Sequence, residues 1–335
     1  MRIGIVNDVR ASCEALRRVV SSLAGHTVVW IATDGVEAIA MAKRDRPDMI
    51  LMDLIMPHVD GVQATRQIMA AAPCAILVVT ATVSGNISLV YDAMGFGALD
   101  AVDTPVLGPT GEMAGAESLV AKIATVAKLL GSSTDVRRPT RPGTTAAAPQ
   151  LLVVGASTGG PKAIADLLLA LPRDCHLAIV VVQHVDVAFS QGLATWLGDR
   201  SGRTVRVAEH GEPPQADTVL LAGTNDHLVM SNQRTLEYRE EPREIFFRPS
   251  VDVFFESVAD HWPQAGIALL LTGMGRDGGK GMLRLRAAGW HTIAQDEATS
   301  VVWGMPKAAV ELGAACQVLP IEQMPRAILS RLTSG

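Results

Sequence analysis

Large apolar side chains recur along this chain in short runs, separated by longer stretches that are apolar on one face only. Runs at 3–6, 28–31, 49–52, 75–79 and 98–102 have the length and composition of buried strands, and the stretches between them have helical periodicity. That alternation predicts a compact α/β domain around a parallel sheet, closed by a one-sided apolar helix over 116–130. Residues 131–149 carry almost no large apolar side chain and are rich in Ser, Thr, Pro, Arg and Ala, a composition that buries little. Beyond them a second series of apolar runs begins, at 151–154, 177–182, 218–222, 267–271 and 292–294. The segment 228–238 and the charged stretch after it read as a hairpin leaving that second sheet. The pattern therefore predicts two α/β domains, 1–125 and 150–335, joined by a flexible linker over 126–149. There are no short solenoid-type repeats.

Composition narrows the class. The 335 residues are 48% hydrophobic but only 4% aromatic, which suits buried parallel strands better than an aromatic-rich sandwich. A net charge of −5, with no zinc-finger spacing and no basic helical arm, argues against nucleic acid as a partner. The four cysteines are far apart and form no C-x-x-C pair, so neither a disulfide framework nor structural zinc is expected. The chain opens on a strand-like run without a leader, and no apolar run reaches membrane-spanning length. A cytoplasmic protein that does not insert into a membrane is the expectation.

Chemistry concentrates where strands end. In the second half, 151–154 runs into Gly155-Ala156-Ser157-Thr158-Gly159-Gly160, and Pro161 followed by spaced apolar residues opens a helix. Ser157 thus stands on a strand-to-helix turn whose small neighbours let backbone amides approach a ligand. A lone G-x-S-x-G is only a hypothesis, because phosphate-binding turns look alike. His184 follows the run 179–183, and Asp277 follows 267–271 within Thr272-Gly273-Met274-Gly275-Arg276-Asp277. All three fall at carboxyl ends of parallel strands, on one sheet edge, where they supply nucleophile, base and orienting carboxylate. The glycine-rich run at 273–275 offers an amide for a tetrahedral oxyanion. His291 is the rival base, in the chain order of α/β-hydrolases, but it precedes its strand and should face the opposite edge, as His176 does. His210, His227 and His261 read as surface or loop residues. Nucleotide binding at 155–160 is the weaker alternative: no P-loop is present, and Gln183-His184 stands where a ribose-binding acid is expected.

In the first half, Asp53 lies just past the run 49–52, with Asp8 after the first strand, Thr80 after the fourth and Thr104-Pro105 after the fifth. Two carboxylates at neighbouring strand ends suit a hard cation such as Mg²⁺, which would offset charge on a phosphoryl group at Asp53, with Thr80 hydrogen-bonding it. Taken singly, acids after strands more often cap helices.

Asp8, Met52-Asp53-Leu54-Ile55-Met56-Pro57, Asp60-Gly61, Thr80-Ala81 and Gly97-Ala98-Leu99-Asp100 resemble the receiver domain of two-component response regulators. The resemblance implies a flavodoxin-like five-stranded sheet with Asp53 as phosphoacceptor and Thr80 and Thr104 as switch positions. It also implies Mg²⁺ held by Asp8, Asp53 and the Ile55 carbonyl. Asn7 replaces one of two usual adjacent acids, Thr104 the usual lysine, and Ala101 an aromatic switch residue. The first change should weaken Mg²⁺ binding, and the second removes a cation that would pair with the phosphoryl group.

The second half is similar to the catalytic domain of CheB-type protein-glutamate methylesterases. The similarity is carried by Gly155–Gly160, Val182-Gln183-His184, Pro249-Ser250-Val251-Asp252-Val253, Leu271-Thr272-Gly273-Met274-Gly275 with Asp277-Gly278, and the stretch from Ala294 to Lys307. It implies a doubly wound, mostly parallel domain with Ser157 as nucleophile, His184 as base, Asp277 as orienting acid and the Met274 amide as oxyanion donor. The implied reactions are hydrolysis of γ-glutamyl methyl esters and deamidation of glutamines on chemoreceptor helices, with no cofactor. A CheA-type histidine kinase is the implied phosphodonor, and the chain is expected to be a monomer. Val185-Asp186 replaces the family's usual Met-Pro after the histidine, at the substrate lip. The Asn7 and Thr104 changes look like those of methylesterases from Wsp-type surface-sensing systems. Two other functions are compatible with the residues: a small-molecule esterase or amidase, and a phosphorylation-gated binding protein that sequesters receptor or phosphoryl flux.

Overall fold

The protein is seen in a computed structural model that describes residues 1–81, 83–107, 113–129, 150–185, 187–245 and 247–332. It divides into two units, 1–134 and 135–335. In the first, β1 (Arg2–Val6), β2 (Thr27–Ala32), β3 (Met49–Met52), β4 (Ala75–Thr80) and β5 (Asp100–Asp103) form one parallel sheet in the order β2-β1-β3-β4-β5. The helices α1 (Arg10–Ser22), α2 (Gly35–Arg44), α3 (Gly61–Ala71), α4 (Ile87–Gly95) and α5 (Ala116–Leu129) alternate with the strands. A two-stranded ribbon, β6 (Val106–Leu107) with β7 (Met113–Ala114), precedes α5. Ile3, Ile5, Met49, Leu51, Leu77 and Val79 are fully buried between sheet and helices. Helix α5 continues past residue 125; residues 130–149, the rest of the expected linker, lie outside the described residues.

In the second unit seven strands form one parallel sheet. They are β8 (Gln150–Ala156), β9 (Leu177–Gln183), β10 (Thr204–Val207), β11 (Thr218–Leu221), β14 (Ile267–Leu270), β15 (His291–Gln295) and β16 (Gln317–Leu319). The antiparallel hairpin of β12 (His227–Met230) and β13 (Leu236–Arg239) stands apart from the sheet, as the sequence pattern predicts for this segment. The helices are α6 (Gly160–Ala170), α7 (Val187–Ser201), α8 (Val251–His261), α9 (Gly279–Ala287), α10 (Met305–Glu311) and α11 (Met324–Leu332). Strand order is β10-β11-β9-β8-β14-β15-β16. From β8 the chain winds outward to one edge, returns to place β14 against the other side of β8, and winds outward again. The reversal falls between β8 and β14, and a crevice at the carboxyl ends of two such strands is where open α/β sheets bind ligands.

The sequence pattern misses the two edge strands β10 and β16. Both are short and only half-buried, so neither contains the continuous apolar run that marks a central strand. It also misplaces His227, which opens β12 and is completely buried rather than on the surface. His291 is the first residue of β15 and lies at the amino edge of the sheet, away from Ser157.

Candidate active site

Ser157 follows β8, and its position is set by backbone on both sides. Its amide donates to the Thr272 carbonyl (3.0 Å), and its own carbonyl accepts from Gly160 at the start of α6 (2.8 Å). Gly159 makes the turn into α6 with φ of 79°, a left-handed conformation that disfavours any side chain. Gly273 leaves the space that Ser157 occupies: a Cβ there would come within 2.8 Å of the Ser157 Cβ and 2.3 Å of Met305 Sδ.

His184 follows β9, the neighbour of β8, and its amide donates to the Ala156 carbonyl (3.0 Å). Between the two stands Gln183, a buried residue for which the sequence suggests no separate role. Its Nε2 donates to the carbonyls of Ser157 (2.9 Å) and His184 (3.0 Å), tying the two turns together. The His184 ring stacks on Phe247, with centroids 4.5 Å apart and planes within 2°. Its Nε2 lies 2.8 Å from Asp277 Oδ2. Because a carboxylate can only accept here, Nε2 carries the proton and Nδ1 has the free lone pair. Nδ1 is buried without a hydrogen-bond partner. The structure thus joins His184 to Asp277 but forms no hydrogen bond between His184 and the Ser157 hydroxyl.

Asp277 sits in a cradle made by the amino end of α8. Oδ1 accepts from Ser250 Oγ (2.8 Å) and the Asp252 amide (3.0 Å), and Oδ2 accepts from the Val251 amide (2.7 Å) besides His184. Ser250 is the N-cap of α8, so the helix presents its unpaired amides and positive dipole end to the carboxylate. Burial pushes the Asp277 carboxyl up, but the hydrogen bond from His184 and the amides of Asp252 and Val251 outweigh it. The net result is a pKa below the ordinary value. Asp252 is shifted the other way, to about 6, by burial and by the nearby charge of Asp277, against the pull of the Gly281 amide. The Met274 amide, three residues before Asp277, donates to no acceptor among the described residues.

In the first unit Asp53 lies past β3, 8% exposed, with Oδ1 accepting from the Leu54 amide (2.7 Å). Oδ2 accepts from Asn7 Nδ2 (3.0 Å), and Asn7 Oδ1 in turn accepts from the Val9 amide (2.8 Å), which orients the side-chain amide. Burial, followed by the charge of Asp8, raises the Asp53 pKa; the Leu54 and Ile55 amides and the Thr80 hydroxyl act in the opposite direction. Thr80 ends β4 and is buried, and its carbonyl accepts from the Thr104 amide (2.9 Å). Asp8 and Ile55 are exposed. Lys122 is turned to Asp100 and to the Ala101 carbonyl. Among the described residues no three His, Cys, Asp or Glu side chains gather into a metal-holding group, and no helix is long and apolar enough to cross a membrane.

Residues 152–328 match the model of the CheB methylesterase family, and residues 3–108 match that of the response regulator receiver domain. A protein-glutamate methylesterase/protein-glutamine glutaminase of Burkholderia orbicola is 54% identical over 333 residues, covering 99% of this chain and 98% of the relative. One from Pseudomonas fluorescens is 49% identical over 331 residues, covering 98% of each. The crystal structure of the Thermotoga maritima CheB methylesterase catalytic domain superposes with a TM-score of 0.52 at 35% identity. It is covered completely and spans 55% of this chain. On these grounds, the chain belongs to the CheB methylesterase family and carries a response regulator receiver domain ahead of its esterase domain.

Proposed function

We propose that this chain is a phosphorylation-regulated protein-glutamate methylesterase, and a protein-glutamine deamidase, acting in the cytoplasm on chemoreceptor helices. The observation that carries the mechanism is the polarised histidine: Asp277 holds Nε2–H and leaves the buried Nδ1 as the available base. In this reading Ser157 Oγ attacks the γ-carbonyl of a glutamyl methyl ester while His184 Nδ1 takes its proton. Asp277 stabilises the imidazolium, and the Met274 amide donates to the developing oxyanion. Collapse expels methanol, protonated by His184, and water then attacks the acyl-enzyme by the same base. The His184–Ser157 hydrogen bond forms when substrate closes the site, since apo enzymes often leave such contacts long.

The receiver supplies regulation. Asp53 accepts a phosphoryl group from a CheA-type kinase, with Thr80 and Thr104 as the switch positions. The donor set suits Mg²⁺, which takes one or two carboxylates and keeps several waters. Asp8, Asp53 and the Ile55 carbonyl would hold it, and the cation would offset phosphoryl charge. Asn7 supplies a hydrogen bond to Asp53 in place of a further carboxylate. Phosphorylation of the receiver shifts an equilibrium that controls the esterase domain.

Methanol release from a methylated chemoreceptor, compared with release from small methyl esters, tests the substrate class; preference for the small esters would make this a small-molecule esterase. Asp53→Asn in the full chain should keep basal methanol release and lose the severalfold stimulation by a small phosphodonor. Equal stimulation of wild type and variant would discard Asp53 as the acceptor.

A further inference from the structure

We propose that His227 is a positioning residue for the Ser157–His184–Asp277 site, acting through the described residues between Pro242 and Ser250, the two that it holds. The proposal rests on the esterase reading above. His227 is completely buried at the start of β12, and its ring has two hydrogen-bond partners, Pro242 and Ser250. Its Nδ1 lies 3.2 Å from the Ser250 amide, and its Nε2 lies 3.2 Å from the Pro242 carbonyl. An amide can only donate and a carbonyl can only accept, so the ring is neutral, with its proton on Nε2.

The segment so fastened supplies two parts of the site. Phe247 stacks on the His184 ring. Ser250 donates its hydroxyl to Asp277 and begins α8, whose next two amides complete the carboxylate's partners. The buried Ser250 amide has His227 as its acceptor, so losing Nδ1 leaves a buried donor unmet and frees the helix start to move. Displacement there would reach His184 twice, through the Phe247 stack and through Asp277. The Pro242 end is more open to water, which can replace a lost Nε2–H. The Nδ1 contact is therefore the one that matters for the site.

Two substitutions of similar polarity separate positioning from mere filling. In His227→Asn the side-chain oxygen sits near the place of Nδ1 and can accept from Ser250. In His227→Gln the amide reaches the place of Nε2 and leaves Ser250 unmet. With full-length protein and methylated receptor, His227→Asn should keep kcat within about threefold of wild type. His227→Gln should lose about tenfold or more in kcat with little change in KM, the scale of one unmet buried donor. The Nε2–H proton resonance of His184, read by NMR, should move in His227→Gln and return in His227→Asn. That readout needs no turnover, so it separates failure of this proposal from failure of the esterase reading. Equal kcat in the two variants, or an unmoved His184 resonance in folded His227→Gln, would overturn the proposal. If His227→Gln does not fold, His227→Asn decides: near wild-type kcat supports the assignment and a tenfold loss sinks it.

Discussion

Ser157→Ala should reduce methanol release from methylated receptor by roughly 10⁶-fold in kcat, about 8 kcal/mol of barrier, the scale seen when a serine triad loses its nucleophile. The remaining rate should still exceed that in water by roughly 10³-fold, because an oxyanion donor and the bound geometry survive such a change. Stability should barely alter. Ser157 is held by its backbone, through Thr272, Gly160 and Gln183, and alanine makes the same three bonds. A variant that melts with wild type, binds receptor and releases methanol only at that residual rate is the expected result. Unchanged methanol release would remove Ser157 from the reaction. Unchanged signalling adaptation despite lost hydrolysis would favour the phosphorylation-gated binding protein instead.

Asp277→Asn should cost about 10⁴-fold in kcat, as the equivalent change does in a serine protease. The reason lies in the partner set, which consists entirely of donors: two backbone amides, the Ser250 hydroxyl and His184 Nε2–H. An asparagine must direct its NH₂ group at one pair of them. Facing His184 and Val251, it orphans the Val251 amide and forces the imidazole to accept at Nε2, moving the proton to Nδ1, where the base is needed. Facing Ser250 and Asp252, it lets the hydroxyl reverse but orphans the Asp252 amide. Either outcome adds about 1–3 kcal/mol of instability for the unmet buried donor. The pH dependence has a definite sign. The folded-state pKa of Asp277 is depressed, so its contribution is full above the unfolded value of about 3.9 and is lost as pH falls through the lower folded value. Urea melts should therefore show the wild-type advantage over Asp277→Asn at pH 5 to 7 and show it shrinking below about pH 4. A gap between the two proteins that does not narrow in acid would rule out the ionised carboxylate as its source.

The central strands are legible in the sequence because each is buried on both faces and so reads as an unbroken apolar run. β10 and β16 are not, because each is short, half-buried and interrupted by polar residues. Ser157 and His184 can be singled out because each lies just past such a run, and Asp277 because it lies in the glycine-rich loop that leaves one; the run fixes which sheet edge each occupies. The cradle around Asp277 has a weaker signal. Pro249-Ser250-Val251-Asp252 reads as a helix start, but nothing local says that its free amides face a carboxylate from another strand. His227 and Phe247 are less legible still. The sequence of a short hairpin strand does not tell a buried histidine from an exposed one, and ring stacking across loops has no periodicity. At Asn7 the missing acid is plain from the sequence. The direction of its amide, set by the Val9 N–H, is a matter of three-dimensional geometry.

The adjacency of β8 and β14 carries a consequence for how the molecule is made. Thr272 Oγ1 donates to the Thr158 carbonyl across 114 residues of chain, and the Ser157 turn rests on the same strand-end loop. Closing so long a loop has an entropic cost that only completed strand pairing offsets, so contacts of this separation form late. On the ribosome, serine and histidine emerge well before the strand that must insert beside them. A nascent or truncated chain therefore holds Ser157 and His184 without Asp277 beside them. Recovery of methanol release after refolding should accordingly track the last cooperative phase.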